Sequence, residues 1–260
     1  MFDLQPLSAV RERICHNTIS SNAFYMLVGS ALLNRGSLSV VRMGDGERLL
    51  MKEILDGDND ETWLRDPARG RNEKWMEMLG CAGISRGVLF DRLVEAGNEC
   101  DYFAPSLSGI NRPDYDLYSF FKARSRFVDN FFVDEWTDAM KIKLYQIADH
   151  VLFIHRNPLS AKVFRFRLKY SLGVEMSYLQ MSTWQEADEV IAKAAEIDAP
   201  LVLFSGGPAG KFIGPRIARG GSINKVVIDL GHASDPWLLE ALHKDALAAQ
   251  ARVKQETVNV

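Results

Sequence analysis

Leu201-Val202-Leu203-Phe204-Ser205-Gly206-Gly207-Pro208-Ala209-Gly210-Lys211, together with Val226-Val227-Ile228-Asp229-Leu230-Gly231-His232 further on, decides the fold class. Each stretch begins with a short unbroken apolar run, the pattern of a strand buried on both faces. Each run ends in a glycine-containing turn, and a helix is expected after each turn. Strand, turn and helix in alternation imply an α/β, Rossmann-like fold: a mostly parallel sheet with helices on both faces.

Working outward, Val151-Leu152-Phe153-Ile154, Tyr102-Phe103-Ala104 and Ser37-Leu38-Ser39-Val40-Val41-Arg42 read as further strands. Trp136, Met140, Leu144 and Ile147 recur at helical spacing. Ser182 with Gln185 reads as a capping box, and Trp184, Ala187, Val190, Ile191 and Ala194 follow as one apolar face. A first helix is expected over about residues 9–34, stopped at Gly36. Another should restart near Glu47 and carry Leu49, Leu50, Met51 and Ile54 inward, with more helix near 73–80 and 85–97. Residues 56–72 and 108–114 read as polar loops. No repeat or low-complexity linker interrupts the chain, so one domain over 1–260 is expected: an N-terminal helical segment (1–36), an α/β core (37–240) and a C-terminal helix or tail (241–260).

Composition bounds the function. With 47% hydrophobic and 25% charged residues the chain is globular rather than disordered. A formal net charge of −3 argues against a surface built to hold nucleic acid. Cys15, Cys81 and Cys100 show no CxxC spacing, which fits reduced thiols and not a zinc cluster. Met1-Phe2-Asp3-Leu4-Gln5-Pro6 has neither the basic nor the apolar region of a signal peptide, and charges break every apolar stretch short of a membrane span. A cytoplasmic location is expected.

Ligands of open parallel sheets bind beyond the carboxyl ends of the strands, and three turns there are unusually polar. The first is Arg42-Met43-Gly44-Asp45-Gly46-Glu47. Asp45 and Glu47, two apart, project the same way from an extended segment, and paired hard oxygen ligands suit Mg²⁺ or Mn²⁺ holding a diphosphate. Gly44 and Gly46 let the backbone approach a phosphate, and Arg42 adds a permanent cation. The structural alternative is a plain strand-to-helix turn with Glu47 at a helix start. In the second turn Ser205, Gly206, Gly207 and Pro208 offer backbone N–H groups to an anion, although the spacing is neither Walker A nor GxGxxG. Tight strand–helix packing explains the same glycines. The third turn carries Asp229 and His232, the latter a candidate metal ligand or proton acceptor; Asp235-Pro236 beyond it reads as a helix start. His155-Arg156-Asn157-Pro158 leaves its strand in a similar position, and a basic-aromatic run follows at 162–170.

Taken together and in this order, the three turns resemble the GT-D-type glycosyltransferases, bacterial Rossmann-like enzymes with a DxE motif, a late GP-containing turn and a D-x-G-H segment. The resemblance spans about residues 37–55 and 200–237. It implies a hexosyltransferase moving a sugar from a UDP-sugar type donor to a glycan or glycoconjugate, with a divalent cation (Mn²⁺ or Mg²⁺). By position, Asp45 and Glu47 are the DxE carboxylates that engage metal and diphosphate, His232 matches the family's histidine near that site, and Gly207 and Pro208 match its phosphate-proximal turn. Asp229 and Asp235 are candidates for the base. Two alternatives stand beside it. A Rossmann-like methyltransferase or nucleotide-dependent oxidoreductase needs a longer glycine-rich first turn than Gly44-Asp45-Gly46. A non-catalytic nucleotide-sugar-binding module would bind the donor without hydrolysing it. The basic-aromatic run keeps a modified nucleic-acid base open as acceptor.

Overall fold

The computed structural model describes residues 7–44, 47, 51, 80–107, 121, 126–231, 237, 247–252 and 255. Its centre is one eight-stranded sheet in the order β1-β4-β3-β2-β8-β7-β5-β6, every neighbouring pair parallel. The strands are β1 (Thr18–Ile19), β2 (Leu38–Met43), β3 (Tyr102–Pro105), β4 (Arg126–Val128), β5 (His150–His155), β6 (Glu175–Gln180), β7 (Leu201–Phe204) and β8 (Val226–Asp229). The α/β, Rossmann-like class read from the sequence is the observed one.

Alternation along the strands splits the core in two. Val41, Met43, Leu152, Ile154, Val202, Phe204 and Val227 face one layer, formed by α1 (Leu7–Asn17), α3 (Arg86–Glu99), α7 (Ala187–Glu196) and α9 (Ile213–Gly220). Val40, Val151, Phe153, Leu201, Leu203, Val226 and Ile228 face the other, with α2 (Ser21–Leu33), α4 (Phe132–Glu135), α5 (Asp138–Ala148) and α6 (Pro158–Arg167). In the second layer Phe24, Phe132, Trp136 and Trp237 meet at ring separations of 5.0–5.9 Å. Burying such rings is the main favourable term available to the fold.

Local signals differ from expectation in instructive ways. The first helix is two helices, because Thr18–Ile19 pairs with β4 and Ser20 caps α2, its hydroxyl accepting the Ala23 N–H at 3.2 Å. The expected N-terminal helical segment therefore contributes a strand to the sheet. The capping box sits one residue later, on Thr183 and Glu186, ahead of a short 3-10 turn and α7. Strands β1, β4 and β6 were not expected. In the run at 162–170, Arg167 is buried while Lys162, Arg165 and Lys169 are exposed, so the cations spread around the helix as the 3.6-residue period dictates. The expected elements at 56–72, 73–79 and 108–114 lie outside the described residues.

Helix α2 ends in a Schellman turn: Gly36 N–H donates to Ala31 O at 2.8 Å and Arg35 N–H to Leu32 O at 3.3 Å. The left-handed position falls on Arg35 (φ 53°), not on Gly36. A non-glycine residue is strained there, so Arg35→Gly is expected to stabilise the fold by about 0.5–1 kcal/mol, read as a raised midpoint in urea unfolding.

Candidate functional site

Strands β2, β8 and β7 are neighbours, so the turns at their carboxyl ends meet. The chain leaves β2 toward Met51 in one layer and leaves β8 toward Trp237 in the other, the kind of divergence that opens a crevice where α/β proteins bind ligands. Arg42, Gly44, Glu47, Ser205, Gly207, Lys211 and Gly231 line one cavity there of about 260 Å³. All three turns singled out in the sequence contribute to it.

Lys211 anchors the site. It is only 2% exposed, and its ammonium lies 2.7 Å from Asp229 Oδ2 and 3.2 Å from Glu47 Oε1. Burial works against its charge, but Asp229 and Glu47 outweigh burial and hold its pKa above the ordinary lysine value. Asp229, at the end of β8, is 1% exposed and also accepts the Arg42 backbone N–H (3.0 Å) and the Gly231 N–H (2.9 Å). Its carboxylate binds three strand ends together. Glu47 is helical and reaches back to accept the Gly44 N–H at 3.0 Å, the helix-start role weighed in the sequence.

Arg42 crosses to a fourth segment. Its Nε donates to Asn130 Oδ1 (2.7 Å) and Asn130 O (3.1 Å), and its Nη1 donates to Leu230 O. Burial lowers its pKa, with Asp229, Asp134 and Glu47 acting in the opposite direction. Gly231 (φ 52°) lets the guanidinium in, since a Cβ there would sit 3.1 Å from Arg42 Nη1. Ser205 Oγ donates to Gly231 O at 2.6 Å and ties the second turn to the third.

In the second turn, helix α8 (Gly207–Gly210) is a single turn, so its dipole is small even though its first residue meets the cavity. Gly207 (φ 64°) lines the cavity, whereas Gly206 packs on Met181, with a Cβ placed 3.0 Å from the methionine methyl. Pro208 is buried in the same turn without lining the cavity. His155 stacks on Phe153 at 5.2 Å and accepts the Asn157 N–H at Nδ1 (3.0 Å), organising the turn into α6 away from the cavity.

Asp45, Gly46, His232 and Asp235 lie outside the described residues. Glu47 and Asp229 are already engaged by an ammonium, and among the described residues no three His, Cys, Asp or Glu side chains come together. By themselves the described residues do not make a divalent-cation site. Sequence reasoning passed over Lys211 and Asn130. A lysine closing the glycine turn, directly before Phe212-Ile213, was the available signal for the first; nothing in the chain marked the second.

Among the described residues no helix is long and apolar enough to cross a membrane. Comparison with protein-family models, curated proteins and solved structures returned no match.

Removing one partner of a buried ion pair leaves an uncompensated charge. Lys211→Met is expected to cost about 3–5 kcal/mol in denaturant unfolding, and Lys211→Met/Asp229→Asn to recover part of the loss. Because folding raises the Lys211 pKa, its contribution is complete below the unfolded lysine value of about 10.4 and is lost as pH climbs through the folded value. The stability gap between wild type and Lys211→Met should therefore be constant near neutrality and narrow only in strong alkali.

Proposed function

We propose that the chain is a glycosyltransferase of the hexosyltransferase type, taking its sugar from a nucleotide-sugar donor, UDP-linked by the motif resemblance. The acceptor is a hydroxyl of a glycan or glycoconjugate, and the expected setting is the cytoplasm. One observation carries the proposal: the three turns that resemble the GT-D-type enzymes border a single cavity with two buried cations at its wall, Arg42 and Lys211.

In such a transfer the bond from the anomeric carbon to the donor phosphate oxygen breaks and a bond to the acceptor oxygen forms. Negative charge grows on the departing nucleoside diphosphate. Arg42 and Lys211 present fixed positive charge, and the Ser205–Gly207 turn presents backbone close to it. Asn130, Leu230, Asp229 and Glu47 hold both cations in place before any ligand arrives, so little reorganisation is needed as charge develops. A diphosphate would compete with Glu47 for Lys211 and free the carboxylate for a second task. The motif resemblance adds Mn²⁺ or Mg²⁺ held by Asp45, Glu47 and His232; none of these steps is routed through that ion.

The test is nucleotide release from a panel of sugar nucleotides, with and without Mn²⁺. UDP release from at least one UDP-sugar is expected, reduced about 100-fold or more by Glu47→Gln when the variant is assayed well below its own, lowered melting temperature. No turnover of any sugar nucleotide, with stabilisation by S-adenosylmethionine or NAD instead, would overturn the assignment. Donor binding with no hydrolysis or transfer would mark a binding module.

A further inference from the structure

Lys211 and Phe212 are consecutive, yet they line different cavities. The second, of about 160 Å³, is lined among others by Arg92, Glu95, Trp184, Asp188, Phe212 and Arg216. Trp184 and Asp188 lie between β6 and the first turn of α7, and Phe212 lies between β7 and α9. The cavity is thus toward the carboxyl end of the sheet, the end that carries the first cavity. A single water needs only about 10–15 Å³ of such space, so a small anion with part of its carrier fits.

Arg92 is built into this cavity in an unusual way. Its guanidinium lies 4.6 Å from the ring centroids of both Trp184 and Phe212. The Trp184 ring is itself fixed, its Nε1–H donating to Ala82 O at 3.0 Å. Among the described residues no hydrogen bond or ion pair engages the guanidinium, and Nη1 is fully buried without a partner. A buried donor left unsatisfied in this way is destabilising unless a ligand supplies the acceptor. Arg216, also stacked on Phe212 at 4.9 Å, is neutralised by Glu95 at 2.6 Å. Asp188 is exposed and pairs with neither arginine among the described residues. Stacking therefore holds a planar fork of donors in place, with no acceptor supplied among the described residues.

We infer that this cavity is a second ligand subsite, taking a singly charged oxyanion, a carboxylate or a phosphodiester, on the in-plane edge of Arg92. With Arg216 paired to Glu95, Arg92 is the arginine of this lining left without an ion pair among the described residues, which suits a monoanion rather than a polyphosphate. That the anion belongs to the acceptor substrate rests on the glycosyltransferase reading; the anion site does not.

The test is a titration of ¹⁵N-labelled full chain with sodium acetate and, separately, sodium dimethyl phosphate, at constant ionic strength in chloride. The Arg92 Nε–H and Trp184 Nε1–H signals, identified with Arg92→Lys and Trp184→Phe, are the readout. A saturable shift with one anion is expected, and the anion that acts at lower concentration names the chemistry. Arg92→Lys keeps a cation but loses the fork, and should weaken the Trp184 response about tenfold. The exposed change Asp188→Asn, which spares the stack, should strengthen it. Non-saturating shifts with both anions, or shifts unchanged by both substitutions, would overturn the subsite. Adding UDP to the same samples separates the two proposals. If Gly44 and Gly207 amides respond to UDP while Arg92 is silent to both anions, the subsite alone fails; if Arg92 responds and those amides do not, the donor site alone fails.

Discussion

A buried ammonium between two carboxylates fixes the functional end of this molecule. Lys211 arrives on the turn after β7, Asp229 on the last residue of β8, and Glu47 on the helical start beyond β2. None of the three can leave without stranding charge in the interior, so the turns are held in one mutual arrangement. Asp229 then extends the lock through the Arg42 and Gly231 N–H groups, and Arg42 carries it across to Asn130 beyond β4.

The sheet supplies the rigidity that makes this lock useful. Four parallel neighbours, β3, β2, β8 and β7, stand side by side, and their inward residues are almost completely buried on both faces. Trp237 returns the chain after the third turn to the aromatic cluster: its indole donates to Val133 O at 2.9 Å and its carbonyl accepts the Tyr145 hydroxyl at 3.1 Å. The described walls of the cavity consequently rest on packed structure. Its two cations are preorganised for an anionic ligand, and a segment only a few residues long, 205–212, separates it from the cavity built around Arg92.

Much of this was legible in the sequence, for physical reasons that can be named. Strands β5, β7 and β8 are buried on both faces, so their runs are uniformly apolar and easily seen. Edge strands carry weaker signals: β6 is exposed or half-buried at most positions, and β1 is two residues long. The break at Thr18–Ile19 went unread because apolar residues recur at helical spacing on both sides of it; the Ser20 cap was its local signal, and pairing with β4 fixes it. The three turns were found because glycine beside charge is conspicuous at a strand end. The extended geometry assumed for Glu47 gave way to a helical one, since its carboxylate satisfies the Gly44 N–H at the helix start. Lys211 and Asn130 went unseen because their roles depend on partners 18 and 88 residues away.

The central claim is that these turns form one anion-receiving site whose positive charge comes from Arg42 and Lys211. A crystal structure of the chain with UDP bound tests it most directly. Phosphate oxygens are expected within hydrogen-bonding distance of the Lys211 ammonium or the Arg42 guanidinium and the Ser205–Gly207 backbone. A nucleotide bound at another edge of the sheet, with the Lys211–Glu47–Asp229 cluster undisturbed and the cavity holding only solvent, would contradict the claim.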